Sequence, residues 1–301
     1  MYKKKYIFIV ILLTFLPFLR DLLFSFLFQS DFDFTNSHDL IHTGSEMVLM
    51  LLLGVGFIVL DYRLKSEKQL RKYLDSIVDE RTDEIKLNRE ISVEAFALLA
   101  EYREQNTGNH LKRVQNYVKA IAAGLLSDSN YRLYIVKKKN YVDDLMLASI
   151  LHDIGKVVIP NEILLKPGKL TDTEFEEMKK HSSFGGEILG RANLTYKKKT
   201  GKDSYLALAR DIAMYHHEKW DGTGYPMGLK KEEIPLSARI VALCDVYDAV
   251  TTDRVYKKAW THEKAKNMII NGRGSHFDPV ITDIFISLEQ EFKNIGKEFR
   301  D

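Results

Sequence analysis

Two long apolar runs open the chain, and beyond them hydrophobic positions recur only at helical spacing. Residues 6–28, YIFIVILLTFLPFLRDLLFSFLF, are almost wholly apolar and follow the basic run Lys3-Lys4-Lys5. A second run extends from about Leu40 to Leu60 and is densest in MVLMLLLGVGFIVL. A bilayer-spanning helix needs about 20 apolar residues, so both runs are long enough. The intervening QSDFDFTNSHD carries no Lys or Arg, whereas RLKSEKQLRK follows the second run. This charge pattern predicts a two-helix membrane hairpin over residues 1–60 with both ends in the cytoplasm. A cleaved signal peptide is the competing reading, weakened by the lack of a small-residue cleavage site and by the second run. Arg20 and Asp21 either pair within the membrane or mark an early end to the first helix.

From Asp61 to about Glu104 the chain has neither proline nor glycine and is dense in charge. Leu70, Leu74, Ile77, Val78, Ile85 and Ile91 recur at spacings near three, four and seven, which predicts a long helix over 61–104 pairing with its twin in a parallel homodimer. A single solvated helix is the alternative, supported by the interruption at Arg81 and Glu84. Beyond residue 105, HLKRVQNYVKAIAAGLL, YVDDLMLASILHDIGK, DSYLALARDIAMYHHE and SARIVALCDVYDAVTT all carry apolar residues at helical spacing. Thr171-Asp172-Thr173-Glu174 reads as a capping box, and GRGSHFDP ends a helix in glycines and a proline. No alternating strand pattern of any length occurs. Residues 105–301 are therefore expected to form an all-α bundle, a fold that builds metal sites from side chains on facing helices.

Composition narrows the options. The 301 residues are 45% hydrophobic and 29% charged, which suits a globular protein. A net charge of +2 gives no bulk electrostatic case for binding a nucleic-acid polymer. The single cysteine, Cys244, excludes an internal disulfide and suits a reducing compartment.

Metal-ligand residue types recur through the predicted bundle: His110, His152-Asp153, His181, His216-His217 and Asp245. A lone histidine on an apolar helix is ordinarily a packed residue. The doublets change that reading, because adjacent helical residues diverge by about 100° and cannot both face one core. Two neighbouring metals would use both directions, with an aspartate bridging them. Imidazole with carboxylate suits Fe or Mn, with Zn or Ni as further candidates, and no thiolate cluster is present. Two such cations form the clamp used for in-line phosphoryl displacement, in which a bridging hydroxide is the nucleophile. Against Asp153 and Asp245 they leave a site of net charge about +2, suited to a phosphate diester. Lys156, one helical turn after His152, can hold a phosphate oxygen or be a surface lysine.

HDIGK at 152–156 resembles the signature of the HD phosphohydrolase superfamily, and HHEKWDGTGYP at 216–226 resembles the defining motif of its HD-GYP branch. Those bacterial phosphodiesterases degrade cyclic di-GMP. TGNHLKRVQNYVKAIA, HSSFGGEIL, ARIVALCDVYDAVTTDRVYKKA and GSHFDP are similar to further blocks of the family, in the expected order, so the resemblance spans residues 91–293. It implies metal ligands at His110, His152, Asp153, His181, His216, His217 and Asp245, with Asp153 and Lys156 catalytic. It also implies phosphate contacts at Lys156, Arg254 and Lys257. Gly224, Tyr225 and Pro226 would form a loop beside the active site, with Asp221, Gly222 and Gly224 allowing its tight turn. The expected protein is an inner-membrane, multi-pass cyclic di-GMP phosphodiesterase giving pGpG, GMP or both. A nucleotide receptor or scaffold without turnover, or an enzyme for cyclic GMP-AMP, are the alternatives.

Two departures from the family pattern stand out. Members with a third metal carry glutamate directly before TGNH, where this chain has Asn106, so two cations are expected. Val255 replaces a common proline between Arg254 and Tyr256. The lengthened connection SDSNYRLYIVKKKNYVDD is expected to be a solvated insertion, and His276 to fix a turn.

Overall fold

The computed structural model describes residues 15, 16, 19–21, 37–102, 108–253 and 258–300. Two compact units meet in sequence between residues 85 and 86.

In the first unit, most of the apolar run 6–28 lies outside the described residues. Arg20 and Asp21 are described and paired: the Arg20 guanidinium lies 2.7 Å from Asp21 and 3.0 Å from Glu46. Helix α1, Ser37–Glu101, continues without a break from the second apolar run through the charged segment beyond it. From Gly44 onward it is long and apolar enough to cross a membrane, and only 6% of its most apolar window is buried, unlike the core helix of a globular domain. Arg81 and Glu84 do not interrupt α1; they pair with each other at 2.5 Å along its surface. Leu70, Leu74, Val78, Ile85 and Ile91 are each more than half exposed in the single chain.

The second unit is helical throughout: among the described residues the only β-pairing is an isolated bridge between Arg273 and Phe277. Its elements after α1 are α2 (Gly108–Leu125), α3 (Ser129–Val136), α4 (Tyr141–Ser149), a 3-10 turn (Ile154–Val158), α5 (Asn161–Leu164), α6 (Asp172–Thr200), α7 (Tyr205–Tyr215), α8 (Leu236–Thr251), α9 (His262–Asn271), α10 (Pro279–Ser287) and α11 (Glu289–Glu298). Helix α6 packs along α7, and α2 along α4 and α8, around a core that includes Leu111, Tyr117, Ile121, Leu145, Ile212, Ile240 and Phe285. The last turns of α1 belong to this core through Val93 and Ala97.

The local signals operate as their chemistry requires. Thr171 caps α6 with the reciprocal bonds of a capping box, so two of the helix's orphan amides are satisfied. Asp278 caps α10, with Pro279 in the first turn where no amide is needed.

The structure corrects two expectations. Helix α4 stops at Ser149, so His152, Asp153 and Lys156 lie in a turn and a 3-10 segment rather than on one α-helical face. Packing of Gly155 against α6 overrides the helical pattern here: a Cβ at Gly155 would lie 1.9 Å from the His181 carbonyl oxygen. The connection over 127–144 is not a solvated insertion. Ile135 and Tyr141 are buried in the core, and the Tyr131 hydroxyl donates to Asp278, which also pairs with Arg239 at 2.5 Å.

Candidate metal centre

Four histidine rings are fixed from behind in the same way. His152 Nδ1 donates to the Ser149 carbonyl at 2.8 Å, His181 Nδ1 to Met178 at 2.7 Å, and His216 Nδ1 to Ile212 at 3.0 Å. His110 Nδ1 donates to the Asp248 carboxylate at 2.8 Å. Carbonyl and carboxylate oxygens only accept, so each Nδ1 carries a proton and Nε2 is the nitrogen through which each ring could bind a metal. Such backing bonds set the tautomer and orientation that a metal requires.

The Nε2 atoms of His152, His181 and His216 converge on Asp153. Its Oδ1 lies 3.3 Å from His181 Nε2 and 3.7 Å from His216 Nε2, while its Oδ2 lies 3.3 Å from His152 Nε2. His217 Nε2 is 3.1 Å from His181 Nε2. Asp245, on α8, brings Oδ1 to 3.7 Å from His152 Nε2. The ligating atoms of Asp153, His181, His216 and His217 all lie within 4.8 Å of one another, and those of Glu101, His110 and His152 form a second set on the same criterion. Asp153 Oδ1, His152 Nε2 and His216 Nε2 are buried without a hydrogen-bond partner. Buried polar atoms ordinarily have one, so this donor set fits cations placed among its members. Histidine with carboxylate and no thiolate is the chemistry of a transition-metal site.

The electrostatics agree. Burial works against ionisation of Asp153, yet Lys156 and His152 hold its carboxyl well below the usual range. Burial also opposes charge on His152, but Asp153 outweighs it and raises the ring to about 10. The pocket therefore draws positive charge onto a fully buried group. Burial lowers His216 to about 4 and holds His217 well below its ordinary value, leaving both rings neutral near pH 7.

Lys156 Nζ sits 2.7 Å from Asp153 Oδ2. The loop carrying Asp221, Gly222, Gly224, Tyr225 and Pro226 forms a wall: the Tyr225 ring stacks on His217 with centroids 4.7 Å apart. Asp221 Oδ1 accepts from the Thr223 amide at 2.9 Å, and Gly222 has φ +83°, a left-handed turn that glycine adopts freely. Gly224 is needed for close approach, since a Cβ would lie 2.4 Å from the Lys219 nitrogen. The His276 carbonyl accepts from the Trp220 amide at 3.1 Å, tying the segment after α9 to this loop. Arg254, Lys257, Val255 and Asn106 lie outside the described residues.

Three acidic residues at or near the site are not among the residues that the sequence pattern singles out. Asp248 joins His110 to Arg113, whose Nε donates to it at 2.6 Å; burial opposes its charge, but those two bonds keep its carboxyl below the usual range. Glu101 reaches His110 from the end of α1. Glu218 is 2% exposed and accepts from three consecutive amides, those of Met227, Gly228 and Leu229, at 2.7, 3.1 and 3.1 Å. It ties the end of the 221–226 loop to the histidine doublet. Replacing Glu218 with alanine leaves those amides unpaired, at a cost of about 1–3 kcal/mol each where they stay dry. The expected result is a raised KM with metal content retained, read by steady-state kinetics and metal analysis on one preparation.

A family model described as an HD domain matches residues 94–281. The chain belongs to the HD domain family. This HD domain is similar to a cyclic di-GMP phosphodiesterase of Vibrio cholerae serotype O1, 45% identical over 228 residues, covering 76% of this chain and 45% of the relative. A cyclic di-GMP phosphodiesterase of Thermotoga maritima is 37% identical over 209 residues, covering 69% of this chain and 52% of the relative. The 3'3'-cGAMP-specific phosphodiesterase 2 of Vibrio cholerae is 39% identical over 216 residues, covering 71% of this chain and 38% of the relative. The matches thus span about half the length of these curated relatives or less.

Proposed function

We propose that this HD domain protein is a metal-dependent phosphodiesterase that hydrolyses cyclic di-GMP to pGpG, GMP or both. The observation that carries the reading is the division of one buried carboxylate, Asp153, between two groups of back-bonded imidazoles. Asp153 with His181, His216 and His217 would hold one divalent cation, and His110 and His152 beside Asp245 a second; Fe or Mn suits these ligands best. Bound there, the cations would supply a water acidified toward neutral pH and charge compensation for the phosphoryl oxygens. Lys156 would donate to a phosphate oxygen from its place beside Asp153, and Arg254 and Lys257 would bind the dinucleotide's phosphates. Tyr225, stacked on His217, would close one side of the pocket against water.

Residues 1–60 are proposed as a two-helix anchor in a bacterial inner membrane, with 61–104 joining it to the catalytic domain over 105–301. The exposed stripe from Leu70 to Ile91 supports a parallel homodimer. A similar protein specific for cGAMP makes hybrid dinucleotides the second reading. Chromatography of products from cyclic di-GMP and cyclic GMP-AMP offered side by side to Mn- or Fe-loaded protein tests both. Release of guanine nucleotides from cyclic di-GMP is expected; tight binding without turnover on every metal would make the protein a receptor instead.

A further inference from the structure

We propose that Glu101, the final residue of α1, is a direct ligand of the cation assigned to His110 and His152, so that the long helix ends inside the metal centre. This rests on the metal-centre reading and adds a ligand to it. Glu101 is 2% exposed, and neither carboxylate oxygen has a hydrogen-bond partner. A buried carboxylate without compensation is costly, so its position calls for either a proton or a positive partner. His110 Nε2 is 3.5 Å from Glu101 Oε1, and the other nitrogen of that ring is committed to Asp248. A carboxylate oxygen and a ligating imidazole nitrogen therefore face each other across a gap too wide for a hydrogen bond. His152 Nε2, also unpartnered, lies within 4.8 Å of both.

A proton between Glu101 and His110 would satisfy one pair and leave the second Glu101 oxygen orphaned. One divalent cation satisfies all three residues, with ligand bonds of about 2.0–2.2 Å. The charge also improves. Two divalent cations against Asp153, Asp245 and Glu101 leave about +1, which matches a singly charged phosphodiester more closely than about +2. Because α1 is continuous from Ser37 to Glu101, sliding or rotating its last turns would withdraw a ligand. Arg89, which bonds Asp144 at 3.3 Å, and buried Val93 and Ala97 hold those turns in register. The helix would thereby set cation occupancy.

The test compares full-length wild type, Glu101→Gln, Glu101→Asp and His181→Ala in detergent. Each is stripped, titrated with Mn2+ by calorimetry and assayed for bound metal, with thermal melts to verify folding. Wild type should bind two ions. Glu101→Gln should weaken one site at least about tenfold and leave the other unchanged, whereas His181→Ala should weaken the opposite site. Should Glu101→Gln not fold, Glu101→Asp carries the test by weakening the same site through its shorter reach. Wild-type binding in a folded variant lacking the Glu101 side chain's full reach or charge overturns the assignment alone. A wild-type chain that takes up no ion overturns the centre and this ligand together.

Discussion

Asp153→Ala is expected to lower cyclic di-GMP hydrolysis at least about a thousandfold, because the residue serves both halves of the cluster. Its Oδ1 faces His181 and His216, and its Oδ2 faces His152 and Lys156. Removing it leaves the imidazoles without their shared anion and takes the Asp153 carboxylate away from Lys156. Metal content should fall as well, since His181, His216 and His217 would be left as neutral ligands alone, which bind a hard cation less firmly. Asp153→Asn separates charge from shape: it keeps the volume and one oxygen, so it should remain folded while losing most activity. The readout is nucleotide release by chromatography with metal analysis of the same sample. Turnover that survives Asp153→Ala within tenfold would remove the bridging carboxylate from the mechanism.

Gly155→Ala is expected to damage the fold as well as the site. The added Cβ would lie 1.9 Å from the His181 carbonyl oxygen and 2.6 Å from the Gly185 nitrogen. Both are backbone atoms of α6, so no side-chain rotation relieves the clash and the 3-10 turn must move off the helix. That displacement separates His152 and Asp153 from His181, coupling lost stability to lost metal binding. Overpacking against backbone should cost about 3 kcal/mol, or a fall in Tm of about 6–12 °C for a domain of this size. Gly190→Ala, within α6 itself, is the control. There the nearest atom is the Arg210 side chain at 3.3 Å, which can yield, and alanine is the better helix former. A Gly155→Ala protein melting with wild type would refute the close approach.

These two sites also show what the sequence made legible. The helices announced themselves through apolar spacing and caps, as at Thr171 and Asp278, because those signals are local. The His-Asp and His-His doublets were legible because two adjacent coordinating residues have no cheap packing explanation, and the structure brings His110, His152, Asp153, His181, His216, His217 and Asp245 together. Glu101, Asp248 and Glu218 were not. An acid in a helix or loop ordinarily reads as a solvated charge, and Asp248 is distinguished only by His110 and Arg113, 138 and 135 positions away. The early end of α4 was hidden for a related reason: the apolar pattern continues through Ile150 and Leu151, and only contact with α6 dictates the tighter turn. Asn106 was read as leaving the centre short of a carboxylate. Glu101 supplies one from a residue whose neighbours gave no hint of it.

The decisive measurement is anomalous diffraction at the manganese edge from crystals of the Mn-loaded protein. Two peaks are predicted, one among Asp153, His181, His216 and His217 and one at His110 and His152, with Asp153 between them. A single peak, or manganese bound away from Asp153, would contradict a paired-cation phosphodiesterase.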